Sequence, residues 1–167
     1  MRQPCPLCGN WLVDPVGPPN APILLLGEYP GWKEAKEGRA WIGEAGQVLR
    51  AELARVGIQF DRCRATNLWL HKPSKEPGEY EYHMQNALEE VRNRRIVFLM
   101  GSDVARAFLD QSVSDVSGLV VRSRLISSGI ILIASKNPAL LLRQGAVVGD
   151  VRHAMTSLGN TVRELRL

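Results

Sequence analysis

The chain has 167 residues, 45% of them hydrophobic, which suits one domain with a sizeable core. A formal charge of +4 permits a polyanionic partner such as DNA without requiring one. No segment reaches the roughly 18 consecutive apolar residues of a membrane span, no apolar signal region opens the chain, and an odd count of three cysteines argues against a disulfide framework, so a cytoplasmic protein with no membrane contact is expected.

Cys5 and Cys8 form a C-x-x-C pair followed by Gly9, a tight turn that lets two thiolates face one metal ion. Residues 12–22 carry four prolines and run as an extended arm towards the first strand. That strand is the continuously apolar run at 23–26, cut off by Gly27. Residues 27–46 form a loop too long, too glycine-rich and too aromatic for an ordinary strand-to-helix connection. From Glu44, Ala45, Val48, Leu49, Leu53 and Val56 recur at helical spacing until Gly57. A second strand is expected at 64–70, then a polar, proline-broken segment. A helix at 79–94 follows, packing through Met84, Ala87, Leu88 and Val91, with the basic cluster Arg92, Arg94 and Arg95 complementing its carboxyl end. A third buried strand ends at Gly101, with Ser102 capping the next helix. Residues 118–135 read as a strand, a turn and a further strand. Residues 137–143, NPALLLR, open a closing helical region whose stripe is Val151, Met155, Leu158, Val162 and Leu165.

Buried strands alternating with helices imply an α/β protein, a three-layer α/β/α sandwich around a mainly parallel, four-stranded central sheet. The expectation is one domain over 1–167 with an N-terminal metal-knuckle arm at 1–22. Ligands of such sheets bind at the carboxyl ends of strands, which selects the loop from Gly27, the segment from Asn67, the turn after Gly101 and the segment holding NPALLLR.

In this order those segments resemble the uracil-DNA glycosylase superfamily, most of all its prokaryotic, iron–sulfur-cluster-bearing (family 4-like) group. The first motif is carried by Gly27, Glu28, Pro30, Gly31, Glu34, Gly38, Trp41, Gly43, Ala45, Gly46 and Leu49. Thr66 and Asn67 stand where the family ends a strand in threonine-asparagine, and NPALLLR stands at its histidine-proline leucine loop, with Asn137 in the histidine's place. The resemblance implies a glycosylase that hydrolyses the N-glycosidic bond of uracil, or a related deaminated base, in DNA during base excision repair, acting as a monomer on DNA containing a damaged base. The alternative is a catalytically weakened relative that binds DNA or a nucleotide without cleaving it, suggested by Tyr29 and Asn137, which depart from the family pattern.

The chemistry assigns roles. Breaking the bond puts positive charge on the sugar and negative charge on the base, so the pocket must stabilise a uracil anion and hold a water. Glu28 suits the water, Asn137 the base oxygen, and Tyr29 shapes the pocket between them. Asn67 suits base reading, because its amide oxygen accepts from uracil N3–H while its NH2 donates to O4, a pattern that cytosine reverses. Trp41 stacks on the extruded ring, and Glu34 crowds the edge where a thymine methyl would sit. In the leucine loop Pro138, Leu140 and Leu141 enter the vacated stack and Arg143 meets phosphate. For the metal, the resemblance places His71 and His83 on the third and fourth cysteines of the family's cluster. Cys5, Cys8, His71 and His83 then make a Cys2His2 set suited to a structural zinc, with an iron–sulfur cluster as the alternative. Cys63 fits no ligand position and is expected to be a buried free thiol.

Overall fold

The computed structural model describes residues 2–123, 129–143 and 147–167. Five strands form one sheet: β1 (Ile23–Gly27), β2 (Arg64–Asn67), β3 (Ile96–Met100), β4 (Val120–Arg122) and β5 (Ile131–Ser135), in the order β2-β1-β3-β5-β4. The first four in that order are parallel, and β4 runs antiparallel to β5 at the edge. The sheet therefore has one strand more than the four expected. The extra strand is short and half-exposed, as an edge strand is, while β1, β3 and β5 are buried throughout. The turn expected between β4 and β5 falls largely on residues 124–128, outside the described residues.

The central strands read as unbroken apolar runs because both of their faces are covered. Ile23 and Leu25 of β1, with Phe98 and Ile133, join a cluster under α2 (Glu44–Arg55) and α6 (Val147–Leu165), to which Leu49, Leu53, Val151, Met155 and Leu158 contribute. Leu24 and Leu26, with Val97, Leu99 and Leu132, face the opposite layer. That layer is built from α3 (Glu79–Val91), α4 (Ser102–Leu109) and α5 (Val113–Val116), and Ala87, Val91, Val104, Ala105 and Val113 fill it. Three layers result. No helix among the described residues is long and apolar enough to cross a membrane.

Four local readings change. The segment after Gly27 is not loop throughout, since α1 (Trp32–Glu37) forms within it and closes on Gly38. The second strand stops at Asn67, because Leu68 and Trp69 turn back to donate their N–H groups to the carbonyls of Gly27 and Glu28. Arg94 does more than complement the helix end: its Nε donates to the Glu90 carbonyl in the last turn of α3, and its other nitrogens bond the Glu90 carboxylate and the carbonyls of Pro19 and Ala21, which fastens the proline-rich arm. Ser102 caps nothing, since α4 begins there with Gly101 as its cap residue. As expected, Cys63 is a buried free thiol, and burial pushes its pKa up to about 12.

Candidate functional site

The register of the sheet sets Gly27 beside Asn67 at the carboxyl ends of β1 and β2. A Cβ on Gly27 would collide with both the Trp41 ring and the Asn67 amide oxygen, so only glycine lets those two side chains meet above the strand. Trp41 itself sits at φ 58°, a left-handed conformation that costs a bulky residue energy. Its indole N–H donates to the Thr66 carbonyl at 3.1 Å, and Arg50 donates to the Trp41 carbonyl at 2.7 Å, which together hold the ring in place. A cavity of about 580 Å³ opens here, lined by Glu28, Tyr29, Trp41, Asn67, Asn137 and Leu142 among others. Asn67 is only 5% exposed, yet among the described residues its amide has no hydrogen-bond partner. A polar group left open towards a cavity is suited to a ligand.

The remaining expected residues fall around this cavity with some changes of duty. Glu34 is buried and accepts the Gly43 N–H at 2.8 Å, so it braces the two walls of the loop as well as lining the cavity. Tyr29 is half-exposed and stands at the rim; it does not fill the cup. Glu28 accepts the Asp103 N–H at 3.1 Å and thereby caps α4 from another strand, the service expected of Ser102. Burial raises the Glu28 pKa above the ordinary carboxylate value and the Asp103 charge adds to this, while hydrogen bonds from the Asp103 amide and the Asn137 side chain pull the other way. Asn137 accepts the Ala139 N–H at 3.0 Å through Oδ1, which turns its NH2 to the Glu28 side.

The leucine loop is a 3-10 turn, Pro138–Leu142, and it redistributes the expected DNA contacts. Pro138 is buried and starts the turn. Leu141 packs on the core. Leu142, not Leu141, is the exposed leucine on the rim of the base cavity, at 49% exposure. Leu140 and the exposed Arg143 line a neighbouring cavity of about 570 Å³, which shares Glu28, Tyr29 and Asn137 with the first. Leu142, which follows the two leucines named from the sequence, is the more exposed because a 3-10 turn rotates successive side chains further than an α-helix does.

A second constellation lies where the knuckle meets α3. Cys5, His71, Glu79 and His83 are all buried and each offers a donor atom, these atoms lying within 4.8 Å of one another. Cys8 joins them, its Sγ 3.4 Å from His71 Nε2. His71 and His83 approach at 3.1 Å through their Nε2 atoms, and Glu79 Oε1 is 3.1 Å from His71 Nε2 and 3.6 Å from Cys5 Sγ. Glu79 was not foreseen; it lies one helical turn before His83, a spacing that puts both on one face of α3. Its carboxylate has no exposure, and among the described residues no lysine or arginine reaches it. Burial alone would raise its pKa, but hydrogen bonds from Cys8 and Ser74 and the His71 charge bring it below the ordinary value. Burial and the neighbouring His71 push His83 down to about 4, which keeps its ring neutral.

These residues could hold a metal: two thiols, two imidazoles and a carboxylate converge, a mixed donor set in place of the four cysteines that the resemblance implies.

The family model of the uracil DNA glycosylase superfamily matches residues 15–154. The chain is similar to the type-4 uracil-DNA glycosylase of Pyrobaculum aerophilum, 28% identical over 141 residues that cover 77% of this chain and 71% of that one. It is also similar to the protein of the same name from Thermotoga maritima, 30% identical over 151 residues that cover 83% of this chain and 77% of that one. A third, from Archaeoglobus fulgidus, is 29% identical over 143 residues, covering 78% and 71%.

Proposed function

The chain belongs to the uracil DNA glycosylase superfamily, and from that premise we propose that it is a monofunctional glycosylase releasing uracil, or a related deaminated base, from DNA. The observation that carries this is the Asn67 amide: open to the cavity, without a hydrogen-bond partner among the described residues, and set beside Trp41. An extruded uracil lies against the Trp41 ring, gives its N3–H to Asn67 Oδ1 and takes the Asn67 NH2 on O4. Glu28 lines the base cavity and its neighbour at once, which is where a water attacking the anomeric carbon is needed. As its oxygen bonds to that carbon the glycosidic bond breaks, the electron pair leaves with the base, and Glu28 takes the water's proton. The leaving anion is met by the Asn67 NH2. Release of free base from single- and double-stranded oligonucleotides carrying uracil, hypoxanthine or xanthine tests the reading; no release from any of them overturns it.

One observation favours the weakened relative as a second reading. The Asn137 side chain, standing where the family has histidine, is occupied by Ala139 on one side and Glu28 on the other. An Asn137→His exchange that turns on base release in an otherwise silent protein would support that reading.

For the metal centre we propose a single structural zinc, held by Cys5, Cys8 and His71 with a fourth donor from α3. His71 is already oriented for this, since its Nδ1 faces the Lys72 carbonyl at 2.8 Å and its Nε2 points into the cluster of donors. His83 accepts the Leu70 N–H on Nδ1 at 3.2 Å and must move a proton to bind through Nε2, whereas Glu79 needs no such change. Metal analysis of Glu79→Gln beside His83→Gln decides which side chain takes the fourth place. A brown protein absorbing near the 400 nm region typical of iron–sulfur proteins overturns the zinc assignment.

A further inference from the structure

Of the four tryptophans, three are accounted for by the fold. Trp41 is a cavity wall bonded to Thr66, Trp69 packs on His83 with ring centroids 4.9 Å apart, and Trp11 carries the Arg2 guanidinium 5.7 Å from its ring. Trp32 is different. It opens α1, is 79% exposed, and among the described residues no ring or cation covers it, yet it lines the base cavity together with Lys33. Tyr29 and Leu142, 48% and 49% exposed, stand on the same rim. Two exposed aromatic side chains and a leucine gathered around one cavity make an apolar patch continuous with the proposed base site.

We propose that Trp32 is a stacking platform for the nucleobase next to the extruded one, and that it favours substrate strands unpaired at that position. The inference rests on the glycosylase reading for the identity of the ligand. In a duplex the neighbouring base is held by its partner strand and by its own stack, so it cannot turn onto an indole outside the helix. In a single strand, or at a melted site, it can, and stacking on an aromatic ring serves every base because each has a π face. Lys33 beside the ring supplies the positive charge that follows the backbone.

The test measures anisotropy of labelled oligonucleotides containing a non-hydrolysable, 2′-fluorinated deoxyuridine, single-stranded and duplex, against wild type, Trp32→Ala and Trp32→Phe. The expected result is about a tenfold weaker single-strand affinity for Trp32→Ala, less than about a twofold change on duplex, and recovery in Trp32→Phe. Replacing the base on one side of the deoxyuridine with an abasic spacer reproduces the loss in wild type and adds nothing in Trp32→Ala. The proposal is overturned if Trp32→Ala holds the single strand as wild type does, if single strand and duplex lose equally, or if the spacer still weakens the alanine variant. Base release by wild type is assayed separately. If it is absent while the spacer effect persists, the glycosylase reading falls and the platform stands.

Discussion

Asn67 turns its amide into the open cavity, where solvent meets it until a ligand takes its place, so the fold does not depend on that amide. Asn67→Ala is therefore expected to leave thermal stability unchanged or slightly raised, while uracil release falls by roughly 100-fold or more; equal losses of stability and activity would assign the residue to the core. Glu28 makes a prediction in pH. Its folded pKa is raised, so the protonated form is the one folding favours, and that stabilisation is complete below the unfolded pKa and lost as pH rises through the folded one. Glu28→Gln should melt higher than wild type near neutral pH, with the difference closing in acid. Because the carboxylate is the active form, base release should fall on the acid side at a pH displaced upwards from that of an ordinary glutamate, and Glu28→Gln should lose about 100-fold or more together with that limb. Asn67, Trp41 and Glu28 were named through the family resemblance, and the carboxyl edge of the sheet brings all three to one cavity. Glu79 was not, since an acidic residue opening a helix reads as an ordinary charge until His71 is folded against it.

Elements were easier to read than their edges. The buried strands and the stripes of α2, α3 and α6 follow from spacing alone, because burial on one or both faces writes itself into the apolar pattern. What escaped were pieces defined by partners far away in sequence: the shortened β2, Arg94 clamping the arm, and Glu28 capping α4. The 3-10 turn yields a paired expectation. Leu141→Ala removes a side chain packed on the core and should cost about 2 kcal/mol with little specific effect on duplex substrates. Leu142→Ala should leave stability within about 0.5 kcal/mol and lower activity on duplex more than on single strands, because its side chain is the exposed one at the cavity rim. Urea melts and base-release rates on both substrates separate the two variants.

At the scale of the molecule the proposed ion is a tie. Cys8 and His71 meet although they are 63 positions apart, and closing a loop of that length by a cross-link is worth about 4 kcal/mol. Removing the ion with a chelator should lower the melting temperature by about 10 °C, restored by adding zinc; an unchanged melt would show that the knuckle needs no metal. The three-layer architecture and the carboxyl-edge placement of the site were both readable beforehand, since a parallel sheet leaves few other places for a cavity. The closing of the knuckle was expected through the resemblance, which set His71 and His83 opposite Cys5 and Cys8; only Glu79 among the converging donors was not. That separation also shapes how the protein is made. A ribosome delivers the two thiols long before the imidazole that must share an ion with them, and in metal-starved cells the waiting sulfurs stand open to oxidants. The supply of the ion during synthesis, more than the strength of expression, would then limit the harvest of intact protein.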